Sequence, residues 1–408
     1  MVKEHTLARL RAVLSEIARL ESAEFPRADC RKGLELIKRQ FTDRIALIEG
    51  LTPQNNPDVI QAACGEALQQ IFLHLPLLGF FLRSTNVRNA FELHDPLYRL
   101  AKELIGPGVR LVLSSEWEFS PFTYKSLVEL PDFVLIGMPA SESGNGLVLP
   151  LAGHELGHAV WAKHRLAEHF QSPLVEAIVG EIKRRWEEYK THFPHVNEDA
   201  LLDLEGQSTW APTFKLALSQ LEETFCDFIG VRIFFDAYLH AFAYLLVPGL
   251  ANRSPDYPSM RVRAQNVTKA AQRFGTQAPT DYVSWFCEQL LPSRNARSEF
   301  LCSLADKVLE QLVDQLLDKS ASIAEGANIP QRDDTEIRSI VEAFRLVTPA
   351  SEVKSLASIA TAGWVALHDQ DIWKDRPDIE KRKLEVLNEL VLKNVEVLEI
   401  EALLHENT

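Results

Sequence analysis

The stretch "LAGHELGHAV", residues 151–160, decides how the rest of the chain is read. Leu151, Ala152, Leu156, Ala159 and Val160 give it an apolar, helix-forming body, and His154 and His158 stand four residues apart within it. Residues four apart lie on one face of a helix, so both imidazoles can be aimed at a single ion. Glu155 is turned about 100° away from His154. It can therefore face the open side of such an ion without ligating it and take a proton from water there. Gly153 and Gly157 leave room for a second element to pack close against this helix. The spacing is that of HExxH, a metal-binding helix that carries its own general base. A surface helix with two solvent-facing histidines satisfies the same stretch, so the context has to decide.

Upstream, "VRLVLSSEWEF" (109–119) and "DFVLIGMP" (132–139) are β-branched and aromatic-rich and read as strands. A Ser/Gly loop (140–146) separates them from the histidine helix, expected over 150–166 with Pro150 near its start. Before the strands, 3–22, 28–49, 57–75 and 94–105 show helical spacing of apolar residues, broken by "EFPRAD" and "TPQNNPD". After the histidine helix the pattern predicts helices over 173–192 and 212–246. It is helical again from 260 to the end, with starts near Pro330, Pro349 and Pro377. The class expected is mainly α with a small β-sheet (α+β). Three regions are expected: a helical domain at 1–105, a core at 106–275 with a helical insert near 167–211, and a helical domain at 276–408. The amphipathic stripe of the last helix reads as core.

A zinc site needs a third protein ligand and leaves a fourth position for water. "LEETFCDFIG" (221–230) offers Glu223, with Asp227 one turn later placed to accept the second ring N–H of a liganding histidine. Two acids beside Phe225, Phe228 and Ile229 are costly to bury without a metal or histidine partner. The other candidate is His164, at the HExxHxxGxxH spacing. That arrangement needs the helix to stop where "AVWAKH" should keep it going, and on a continuing helix His164 lies about 100° off the histidine face.

Composition limits the partners. The net charge is −14, which repels phosphate backbones and makes nucleic acid and anionic membrane poor partners. The five cysteines are odd in number and contain no CxxC pair, as in a reducing compartment. The amphipathic, charged N-terminus lacks the apolar run of a signal peptide. The most apolar stretch (228–250) is interrupted by Arg232, Asp236 and His240 and reads as a buried helix, so no membrane span and a cytoplasmic location are expected.

His154-Glu155-x-x-His158 followed by Glu223-x-x-x-Asp227 resembles the gluzincin group, the thermolysin-like zinc metallopeptidases. "EETFCD" matches the group's NExxSD-like stretch, with Glu222 in place of Asn and Cys226 in place of Ser. The resemblance covers about 120 residues, from the strands to the Glu223 helix, and the separation between His158 and Glu223 is longer than in thermolysin-like enzymes. It implies a zincin-like core flanked by helical domains and one Zn2+ per chain, held by His154, His158 and Glu223. It also implies Glu155 as general base, Asp227 orienting a histidine, and a peptide or protein substrate. By the same resemblance "DFVLIGMPAS" is an edge strand for an extended peptide. An oxyanion-stabilising group is expected too, and "RSPDYPSMRVR" (253–263) offers Tyr257, Arg261 and Arg263, unless the arginines serve structural ion pairs. Two other functions stay open: a helical binding or regulatory protein with a vestigial or structural zinc site, and a zinc hydrolase acting on a non-peptide amide or ester.

Overall fold

The computed structural model describes residues 2–406 except 53, 88, 89, 125, 126, 128, 129, 251 and 292–294. It is 71% helical with one three-stranded sheet, a mainly α chain with a small β component. In chain order the elements are α1 (Val2–Glu21), α2 (Ala28–Glu49), α3 (Pro57–Arg83), α4 (Ala90–Ile105), β1 (Arg110–Glu116), β2 (Phe122–Thr123) and β3 (Phe133–Pro139). Then follow α5 (Ala152–Lys163), α6 (Leu166–His169), α7 (Gln171–Arg184), α8 (Trp186–His192), α9 (Leu204–Phe234), α10 (Asp236–Leu246) and α11 (Met260–Arg273). The remainder is α12 (Ala296–Gly326), α13 (Asp334–Arg345), α14 (Leu356–His368), α15 (Pro377–Glu380) and α16 (Lys383–Glu406).

The chain divides into two compact units, Met1–Arg99 with Pro107–Gly144, and Leu100–Gly106 with Asn145–Thr408. These do not follow the expected boundaries at 105 and 275. In the first unit the strands share a core with the N-terminal helices: Val112 of β1 and Leu135 of β3 are buried in one cluster with Leu10, Phe41 and Phe81. The α3 helix overruns its expected end at 75 and passes through Pro76, because Leu77, Leu78, Phe80 and Phe81 beyond it are buried. Packing of an apolar face outweighs the hydrogen bond that proline removes.

The sheet corrects one expectation. Its order is β1–β3–β2, with β1 parallel to β3 from Arg110↔Phe133 to Glu116↔Pro139, and β2 antiparallel to β3 at Phe122↔Gly137 and Thr123↔Ile136. The strand read as a docking edge is thus the central one. Along its length β1 takes the ladder on one side, and β2 takes Ile136 and Gly137 on the other. No peptide can add to those positions.

The described residues of the second unit form helices joined by turns and two longer connections, 247–259 and 274–295, which share the isolated β-bridge Asn252↔Leu290. A 3-10 turn over Gly146–Leu151 leads into α5, which keeps helical geometry through Trp161 and ends at Lys163. Between α5 and α9 the expected helical insert is α6, α7 and α8. The α9 helix begins two turns before Pro212, its expected start. Those turns are tied down by Trp210 Nε1, which donates to the Leu201 carbonyl at 2.9 Å. The expected continuous helix over 212–246 is broken at Phe235, whose φ of 52° and ψ of −132° no ordinary helix allows. Such a conformation costs on the order of 1–3 kcal/mol. It folds α10 back so that Tyr238 meets α9. No helix among the described residues is long and apolar enough to cross a membrane.

Away from this region, His240 of α10 lies against Trp364 and His368 of α14, with ring centroids 5.3 and 4.5 Å away. Burial first, and the neighbouring His368 second, hold its pKa down to about 3. The unfolded chain therefore binds a proton that the folded chain refuses. Stability should be full above pH 6.5 and fall below it by about 1.4 kcal/mol per pH unit from this residue. Denaturant unfolding at pH 7 and pH 5 is expected to show about 2 kcal/mol less pH dependence in His240→Phe than in wild type. Equal pH dependence in the two proteins would remove His240 as the cause.

Candidate metal centre

The centre is built where α5 lies against α9. Gly157 has no room for a side chain, since a Cβ there would stand 2.7 Å from the Cys226 Cα, and Gly153 has little, since a Cβ there would stand 3.1 Å from the Gly230 Cα. The two backbones touch, as the glycines in "GHELGH" predict, and this brings the histidine face of α5 onto the acidic turn of α9. His154, Glu155, His158, Glu222, Glu223 and Asp227 then converge, and of these Glu155, His158, Glu223 and Asp227 are buried.

The histidines are held from both ends. His154 meets Asp227 Oδ1 through Nδ1 at 2.9 Å and Glu223 Oε2 through Nε2 at 3.2 Å. His158 meets Glu222 Oε1 through Nδ1 at 2.7 Å, and its Nε2 stands 3.8 Å from Glu223 Oε1. In each ring one carboxylate occupies Nδ1 while Nε2 faces the same third carboxylate. Around a tetrahedral zinc with bonds of about 2.1 Å, neighbouring ligand atoms are about 3.4 Å apart. The separations of 3.2 and 3.8 Å are close to that spacing, but they run to the two different oxygens of Glu223, Oε2 for His154 and Oε1 for His158.

A second grouping overlaps the first. Ligand atoms of His154, His158 and Cys226 all lie within 4.8 Å of one another, so this buried trio could bind a metal ion. The Cys226 thiol comes from the turn after Glu223, where α9 meets Gly157. Two donors on α9, Glu223 and Cys226, thus stand beside the same pair of histidines. The Nε2 atoms face Glu223.

Asp227 is held by several partners at once. Besides His154 it accepts from the Tyr238 hydroxyl at 2.7 Å and from Arg263, Nε to Oδ2 at 2.9 Å and Nη2 to Oδ1 at 2.7 Å. Two-point pairing of this kind is strong and directional. Burial works against its charge, but Arg263 and His154 outweigh it and hold Asp227 at about 2. Burial likewise disfavours a charged His154, and the hydrogen bonds it donates to Asp227 and Glu223 outweigh it, lifting that imidazole to about 10. The pocket is built to hold a positive charge between these two carboxylates.

Of the remaining candidates, His164 stands apart from the centre and Arg263 belongs to it. His164 caps the end of α5, exposed to solvent and near Lys163 and Lys319 rather than with the other two histidines. Arg261 is exposed. Arg263, expected as one possible oxyanion group, is committed to Asp227, with its guanidinium 5.6 Å from the Tyr257 ring and 4.9 Å from Phe242. Tyr257 is half-exposed beside it. The parts played by Glu222 and Tyr238 were not read from sequence. Glu222 had a signal, since it occupies the Asn place of the NExxSD-like stretch. Tyr238 had none, because only the break at Phe235 brings it to Asp227. No protein-family model, curated protein or solved structure matches this chain.

Proposed function

We propose that the chain is a zinc-dependent peptidase of the gluzincin type, with zinc held by His154, His158 and Glu223 and the zincin-like core lying in the second unit. The observation that carries this reading is the convergence of both Nε2 atoms on Glu223 while Asp227 and Glu222 hold the two Nδ1 atoms. Two imidazoles and a carboxylate suit zinc, and three protein ligands leave a position for water. Zinc held there supplies a polarised scissile carbonyl and a water acidic enough to attack it near neutral pH. The chain's own groups do the rest. Glu155, buried beside His154, collects the proton from the attacking water and delivers it to the leaving amine. Asp227 fixes the His154 tautomer, and Tyr238 and Arg263 fix Asp227.

Cys226 favours a second reading. A thiolate added to two histidines and a carboxylate would complete four protein ligands, the closed arrangement of a structural site in a binding protein. The two readings separate in one assay. Zinc-loaded protein is incubated with a quenched-fluorescence peptide library, then stripped with chelator and reloaded. Cleavage that disappears with the metal and returns with it is expected. Full zinc occupancy with no cleavage of any library member would favour the closed site.

A further inference from the structure

We infer that Glu222 is a positioning residue of the metal centre, a second carboxylate that acts through His158 to set how tightly the ion is held. This rests on the zinc reading above.

Adjacent residues on a helix are turned about 100° from each other, and α9 uses that turn to enclose one imidazole. Glu222 takes His158 Nδ1 at 2.7 Å, while Glu223 faces Nε2 from the other side. The contact is sheltered: the His158 side chain is 6% exposed and that of Glu222 18%. An asparagine at this position, as in the NExxSD-like stretch, would offer a neutral acceptor. A carboxylate makes a charge-assisted hydrogen bond, roughly twice as strong as a neutral one. It draws the Nδ1 proton toward itself and leaves more electron density at Nε2 for the metal. With Asp227 doing the same for His154, both ligating rings are backed by anions rather than one.

The test is Glu222→Gln, which keeps an acceptor oxygen of the same reach and removes only the charge. Zinc affinity, measured by competition with a chromogenic chelator, is expected to fall about 10–100-fold. Glu222→Asp should recover part of the loss. The zinc-free forms of wild type and Glu222→Gln should melt within about 4 °C of each other, which keeps a folding defect from imitating the result. Affinity within roughly twofold of wild type would overturn the inference and leave the zinc reading standing. So would a zinc-free variant that melts far below wild type, since Glu222 would then be structural support. A wild-type chain that takes up no zinc would overturn the metal centre itself, and this inference with it.

Discussion

Purified wild-type protein is expected to carry close to one zinc per chain, Glu223→Ala to lose it, and His164→Ala to keep it. The reasoning starts from ring orientation. Each histidine spends Nδ1 on a carboxylate, so only Nε2 remains for a metal, and the group facing both Nε2 atoms is Glu223. Truncating it removes one of three ligands, and the loss should exceed the about 10–100-fold that removal of an outer hydrogen-bond partner produces. His164 sits exposed at the C-terminal end of α5, a turn and a half beyond the pair, and its truncation should leave the metal in place. Elemental analysis of the three proteins, purified alike and reloaded under zinc buffering, decides the matter. Zinc lost in His164→Ala alone would mean that the third ligand has been misassigned. Zinc kept in Glu223→Ala but lost in Cys226→Ser would give the third position to the thiol. The grouping of Cys226 with both histidines makes that a concrete alternative.

How much of this was legible in the sequence follows from which forces each feature answers to. The α5 helix and its two histidines were legible because one periodicity sets them, and Gly153 and Gly157 announced the close packing that leaves little or no room for a side chain. Glu223 and Asp227 were legible because acids in so apolar a run need a partner. Beyond that the signals fail for identifiable reasons. The helix end expected at 75 and the start expected at 212 both fall inside longer helices, which run on through Pro76 and Pro212 because their far turns are held by buried side chains. The reversal at Phe235 is imposed by tertiary packing, since nothing about phenylalanine favours a positive φ. Asp227 is completed by Tyr238 and Arg263, 11 and 36 residues further along the chain, distances at which no local spacing rule operates. The strands were read correctly as strands, but alternation says nothing about order. A two-residue β2 was enough to turn the expected edge strand into the central one.

Replacement of Glu155 by glutamine is expected to leave zinc content unchanged while peptide hydrolysis falls by about 10²–10⁴-fold, the usual contribution of a positioned general base. Glutamine keeps the size and the buried location of the side chain, 5% exposed in wild type, and removes its ability to accept a proton. On α5 Glu155 is turned about 100° from His154, off the face that carries both histidines, so its charge is not needed to ligate the ion. Metal content and rate should therefore part company in this variant, whereas in Glu223→Ala they fall together. The measurement is kcat/KM on the best library peptide beside zinc analysis of the same sample. Full activity with full zinc would take the base away from Glu155 and leave the second residue of HExxH without a chemical task. Loss of zinc together with activity would place Glu155 among the groups that hold the ion. That result would turn the centre into a closed cluster of carboxylates and imidazoles with no position left for water. A selective loss of rate is the outcome that an open, hydrolytic site requires, because only such a site has a use for a carboxylate that touches water and not metal.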